Sequence, residues 1–142
     1  YRLGFSPAGR IVNPTPAHGM FSSIQCAARW NGWRATLTHW AIVLGDQPLV
    51  RSDSLRAVLD FAAVHPEAIC QPSRNGRGRH PVLLPATAFR ALADTAAPTL
   101  KQFLLARPHG VALCELDDPG LDLDIDQPKD YERAVRLAAE RK

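Results

Sequence analysis

The chain has 142 residues, 46% of them hydrophobic and 22% charged, with a formal net charge of +3, the profile of one soluble globular domain long enough for a single core. No apolar run approaches the ~20 residues that span a bilayer, the N-terminus lacks the charged-then-apolar pattern of a signal peptide, and no basic stripe with interleaved aromatics marks a nucleic-acid binder. A membrane span and a nucleic-acid partner are therefore excluded, and the cytoplasm is the expected address.

The first residue is Tyr1. Residues 2–9 contain the breakers Gly4, Pro7 and Gly9 and read as loop, and 10–12 read as a short strand ending at Asn13-Pro14. After a loop over 14–18, the stretch Gly19-Met20-Phe21-Ser22-Ser23 leads into a helix that Ser22 or Ser23 would cap and Asn31-Gly32 would stop. A glycine followed by serines at a helix start offers free first-turn N–H groups to an anion or polar ligand, or is simply a cap.

Trp40-Ala41-Ile42-Val43-Leu44 is an unbroken apolar run that stops at Gly45-Asp46-Gln47-Pro48. It predicts a central strand of a parallel sheet, buried on both faces. Open α/β sheets bind ligands beyond the carboxyl ends of their strands, which here carry the Asp46 carboxylate beside Gly45. Ser52 is expected to cap a helix through residue 64 with Leu55, Val58, Leu59 and Ala62 on one face, and a right-handed crossover leads to a strand over 68–71. Residues 72–78 read as a polar loop. His80-Pro81-Val82-Leu83-Leu84 reads as a strand at an edge or bulge, because of its proline.

Helices over 85–93 and 98–106 follow, then a strand over 111–116 and a turn at Asp117-Asp118-Pro119-Gly120. An alternating segment, Leu121 to Ile125, precedes a last helix that Pro128 opens as its first residue. Asp130 and Glu132 in its first turn, and Arg133, Arg136, Arg141 and Lys142 toward its end, suit the helix dipole. Cys26, Cys70 and Cys114 are odd in number with no C-x-x-C pair, so they are expected to be reduced, mostly core residues.

Two constellations carry possible chemistry. Asp122, Asp124 and Asp126 alternate with Leu123 and Ile125, which puts the carboxylates on one face. With Asp46 they offer what a hard divalent cation takes, one or two carboxylates plus substrate phosphates; the bland alternative is a solvated edge and a turn aspartate. Arg74, Arg77, Arg79 and His80 offer bidentate phosphate contacts, or are a solvated loop. No Ser-His-Asp order, metal-ligand histidine pair or Walker-type glycine loop is present.

Asn13-Pro14, Gly19-Met20 with Ser22-Ser23, Leu44-Gly45-Asp46-Gln47-Pro48-Leu49, Arg79-His80-Pro81-Val82, and Leu123-Asp124-Ile125-Asp126-Gln127-Pro128-Lys129-Asp130-Tyr131 stand in the order and approximate spacing of MobA-like nucleotidyltransferases. Across nearly its whole length the chain resembles this family, and within it the molybdenum cofactor cytidylyltransferases. The resemblance implies a three-layer α/β/α Rossmann-like fold with a mostly parallel sheet, in one domain over 1–142, and a Mg²⁺-dependent transfer of CMP from CTP to molybdopterin with release of pyrophosphate. It implies that Asp46 and Asp126 are catalytic and, with Asp124, hold the metal. Gly19, Met20, Ser22, Ser23 and Gly45 would bind the nucleotide, and Arg79 and His80 the acceptor. The implied partners are CTP or GTP, a molybdopterin-type anionic acceptor, and a molybdoenzyme or a second copy of the chain.

The chain departs from the family in two places. An arginine stands between Gly78 and His80, where the family has glycine directly before the histidine. The family's opening strand and glycine-rich loop are not found before Tyr1, so the expectation is an N-terminally truncated domain in which the strand over 40–44 has an uncovered edge. Other expectations are therefore a non-catalytic nucleotide- or protein-binding module, and a nucleotidyltransferase that uses GTP or a sugar-phosphate acceptor.

Overall fold

The computed structural model describes residues 10–140; the loop expected over 2–9 and the charges of Arg141 and Lys142 lie outside them. A mixed sheet of five strands carries helices on both faces, in the order α1 (Met20–Arg29), β1 (His39–Ile42), α2 (Ser52–Val64), β2 (Ile69–Arg74), β3 (Arg77–Gly78), β4 (Val82–Pro85), α3 (Ala86–Ala91), α4 (Leu100–Leu105), β5 (Val111–Glu115) and α5 (Pro128–Ala139). The fold is the expected three-layer α/β/α arrangement. β1, β2 and β5 run one way; β3 and β4 run against them.

The two strands named from residues 40–44 and 80–84 exchange places relative to expectation. β4 lies inside the sheet, antiparallel to β1 on one side and to β2 on the other. β1 has no strand on its other edge among the described residues. The physical reason is visible in the side chains. All four β4 residues are buried, with Val82 and Leu84 on one face and Leu83 on the other, and Pro81 stands just before the paired residues. In β1 every residue keeps some exposure, and Val43 beyond it is 65% exposed. A run of apolar residues registers two apolar faces; it does not register whether each edge has a neighbour.

Residues 72–78 form a hairpin instead of a loop. Asn75 (φ 54°) and Gly76 (φ 71°) turn β2 into β3 with both central residues in the left-handed region, the geometry that Asn-Gly favours. The strand expected over 10–12 is absent, and Gly19, not Ser22 or Ser23, precedes α1 as its N-cap residue. Arg51 takes the cap position of α2, so Ser52 is its first helical residue.

The core has two halves, one on each side of the sheet. Phe21, Ile69, Val82, Leu84, Phe89, Leu92, Leu100 and Phe103 pack under α1, α3 and α4. Val58, Ala62, Cys70 and Leu83 pack under α2. Of the apolar face expected on α2, Val58 and Ala62 are buried, while Leu55 and Leu59 are 37% and 58% exposed. Trp40 stacks on Phe89 at 4.5 Å, and Trp33 meets both rings edge-on, contacts worth about 0.5–1.5 kcal/mol each beyond area burial. They anchor β1 to α3 and to the segment after α1, where Trp33 Nε1 donates to the Ala27 carbonyl at 2.8 Å, and so set where the chain emerges at Leu44. No helix among the described residues is long and apolar enough to cross a membrane.

Candidate active site

Beyond β1 the chain turns at Gly45-Asp46 and meets the segment before α5. The Asp46 carbonyl accepts a 2.9 Å hydrogen bond from the Ile125 amide, and Gln47 Nε2 donates to Asp124 Oδ1 at 2.7 Å. Asp46 and the Asp124–Asp126 pair, about eighty positions apart in sequence, are thus backbone neighbours. Leu121 and Leu123 are buried and Asp122, Asp124 and Asp126 exposed, as period-two alternation requires, although Pro119–Asp122 forms a 3-10 turn.

Asp46 Oδ1 is buried with no hydrogen-bond partner, an acceptor that a cation or a ligand donor would satisfy. Asp126 makes no hydrogen bond or ion pair among the described residues. No group of three or more His, Cys, Asp or Glu side chains among those residues is arranged to hold a metal, so Asp46, Asp124 and Asp126 do not make a closed cage. A Mg²⁺ site of two carboxylates completed by substrate phosphates needs no such cage, and the residues present fit that kind of site.

The joint that brings these segments together is built from Asp118, which sequence reasoning placed only in a turn. Its carboxylate is buried and accepts from Arg51 N (2.8 Å), Ser54 Oγ (2.7 Å) and Gly120 N (2.9 Å). It therefore ties the start of α2 to the turn that leads into the aspartate segment.

Beside Asp46 opens a groove of about 910 Å³ whose lining includes Gln47, Arg74, Arg77, Arg79, His80 and Asp122. The four basic residues do meet there, as their clustering in sequence implied. Asp122 leaves the aspartate row and joins them. Its Oδ2 accepts from Arg74 Nη1 at 2.6 Å and its Oδ1 from Arg79 Nε at 2.6 Å. The Arg74 bond above all holds the Asp122 carboxyl below its usual range, with Arg79 adding to it against the effect of burial, and Asp122 in turn raises Arg74. His80 Nδ1 lies 3.3 Å from the Ile42 carbonyl. A carbonyl only accepts, so this contact selects the tautomer with the proton on Nδ1 and leaves Nε2 as an acceptor.

Glu115, at the end of β5, anchors the hairpin that carries the arginines. It accepts from Ser73 Oγ (2.5 Å), Asn75 N (2.6 Å) and Gly76 N (3.4 Å). The Ser73 hydroxyl first, then the two amides, hold its carboxyl below the usual range.

The residues expected to line a nucleotide pocket lie on the other side of Leu44. Met20 and Ser23 border an apolar groove of about 280 Å³ with Trp33, Trp40 and Leu44. Met20 also borders a third groove of about 490 Å³ together with Arg79 and His80, so the Arg79-His80 segment is a wall shared with the arginine groove. Gly19 has φ 84°. The Ser22 hydroxyl donates to the Gly19 carbonyl (2.7 Å), and Asn13 Nδ2 donates to Ser22 Oγ (2.7 Å) and Ser23 Oγ (3.0 Å). Those hydroxyls hold the motif together from within. Gly45 is exposed, with open space where a Cβ would stand.

Among solved structures the chain is similar to the crystal structure of a homologue of Mycobacterium tuberculosis Rv0371c from Mycobacterium sp. strain JC1, with a TM-score of 0.67 and 21% identity. The match covers 84% of this chain and 59% of that one, so the likeness is one of fold, over rather more than half of the longer protein. No curated protein matches the chain. Residues 3–111 match the MobA-like NTP transferase domain, which is most of the chain, and the protein belongs to that family.

Proposed function

We propose that this domain carries out Mg²⁺-dependent nucleotidyl transfer, moving CMP from CTP to a molybdopterin-type phosphate acceptor with release of pyrophosphate. The observation that supports the reading is the main-chain bond between Asp46 and Ile125, which joins the turn carrying the Asp46 carboxylate, whose Oδ1 is buried without a partner, to the segment carrying Asp124 and Asp126, beside a groove that Gln47, Asp124 and the arginines line. Family membership supports the reaction class. The choice of CTP and molybdopterin rests on the resemblance, across nearly the whole chain, to the molybdenum cofactor cytidylyltransferases.

In this reading a phosphate oxygen of the acceptor attacks the α-phosphorus of CTP, the α–β bridging bond breaks, and pyrophosphate leaves. Asp46 and Asp126 would hold a Mg²⁺, which supplies charge neutralisation at the reacting phosphates. The rest is positioning by the chain's own groups. The Asp46–Ile125 bond and the Gln47–Asp124 bond keep the two acidic segments in register. Arg77 and Arg79 face the acceptor's anionic end, His80 forms the groove wall beside them, and Met20 with the first turn of α1 borders the nucleotide.

A second reading, a non-catalytic binding module, is favoured by one observation: β1 has an edge with no strand beside it among the described residues, next to the exposed Val43. Thermal-shift titration with CTP, GTP and a sugar-nucleotide, each with and without Mg²⁺, separates the readings, because only a competent pocket stabilises the fold. Stabilisation by CTP with Mg²⁺ is expected. A larger shift with GTP would change the nucleobase, and no shift with any nucleotide, together with concentration-dependent dimerisation, would select the module.

A further inference from the structure

The transfer reading gives no role to Asp122 and Arg74, which lie in the groove. A single carboxylate closes both Arg74 and Arg79, with 2.6 Å contacts to each. Arg74 also reaches Asp117 at 3.4 Å, but the Asp117 side chain is 94% exposed, too solvated to compete. Arg77 lines the same groove, is exposed, and its side chain makes no hydrogen bond or ion pair among the described residues. Three guanidiniums face one space, and an internal anion already holds two of them.

A guanidinium N–H bonded to a carboxylate is a donor that a phosphate would otherwise take. An incoming phosphate therefore meets Arg77 with its side-chain donors open, and meets Arg74 and Arg79 each already bonded to Asp122, Arg74 through Nη1 and Arg79 through Nε. We propose that Asp122 is a resident competitor in an anion subsite for phosphate monoesters, holding Arg74 and Arg79 out of use until a ligand fixed by its other contacts displaces it. The groove then retains small free anions poorly. It grips a phosphate group only when the rest of the molecule is seated, which is selection for the acceptor against free phosphate. This deepens the acceptor half of the proposed function and rests on that reading only for the identity of the natural ligand.

Inorganic phosphate tests it without nucleotide or turnover, by NMR titration of the wild-type chain and single variants. Asp122→Asn is expected to bind phosphate about ten-fold more tightly than wild type, since it opens two further guanidiniums. In the wild-type background Arg77→Gln should lose most of the weak binding, while Arg74→Gln should change it by less than about two-fold. A folded Asp122→Asn that binds phosphate no better than wild type overturns the proposal. If that variant does not fold, its spectrum will show it, and equal losses in Arg74→Gln and Arg77→Gln overturn the proposal instead. Because no nucleotide enters the experiment, the anion subsite can hold while the transfer reading fails, and the reverse.

Discussion

Gly120 and Leu49 meet backbone to backbone: a Cβ on Gly120 would stand 2.0 Å from the Leu49 carbonyl oxygen. Neither partner is a side chain that can swing away, so the turn before the aspartate segment and the loop after Asp46 can pack this closely only with glycine at 120. Gly120→Ala is expected to force these loops apart, at a cost of about 1–3 kcal/mol, and to weaken any stabilisation by nucleotide as well. Urea denaturation gives the first quantity and thermal shift the second; an unchanged midpoint would show that the loops yield without cost.

Asp118 serves the same joint through polar contacts. Ser54→Ala removes one donor and leaves the carboxylate its bonds from Arg51 and Gly120, for an expected loss of about 1–2 kcal/mol. Asp118→Ala strands several donors in a buried site and should cost more, about 3 kcal/mol or above. Comparing the two by chemical denaturation checks the order.

The hairpin tip depends on left-handed backbone. Gly76 at φ 71° should lose about 1–2 kcal/mol on substitution by alanine. The more telling effect is on the groove, because Arg74 and Arg77 flank the turn. Phosphate binding by Gly76→Ala should fall even at temperatures where the chain remains fully folded.

Acid should loosen the groove wall before the core. Asp122 and Glu115 both have depressed carboxyl values in the folded state, the first chiefly through Arg74 and the second chiefly through Ser73. A depressed folded value means that the unfolded state takes up protons first. The stabilisation is therefore complete above the ordinary carboxylate values of about 4 and is lost as pH falls below them toward the folded values. Glu115→Gln should lower the melting temperature at pH 7 and flatten its fall between about pH 5 and pH 3. A variant with the wild-type slope would remove Glu115 from this account.

What could be read from sequence was whatever local pattern encodes. The apolar run ending in Gly45-Asp46, the alternation around Asp124, Pro128 at the first position of α5 and the cluster of arginines each announce themselves within a few residues. Asn75-Gly76 is the dipeptide that the observed turn prefers, a local signal that the reading of 72–78 as a polar loop passed over. The exchange of β1 and β4 was not legible, because burial of an apolar run says nothing about which strand lies beside it. Nor were the roles of Asp118 and Asp122. In Asp117-Asp118-Pro119-Gly120 nothing local distinguishes the two aspartates; Asp118 is selected by Ser54, 64 residues earlier in the chain. Asp122 leaves its row for Arg74 and Arg79, partners that only the folded sheet brings within reach.

The central claim is that Asp46 and Asp126 share one divalent cation with a nucleotide. Manganese binding followed by electron paramagnetic resonance, with a non-hydrolysable CTP analogue present, reads this most directly. One Mn²⁺ held with nucleotide, and affinity at least about ten-fold weaker in both Asp46→Asn and Asp126→Asn, is the predicted result. Wild-type affinity in Asp46→Asn, with the variant folded, would contradict it.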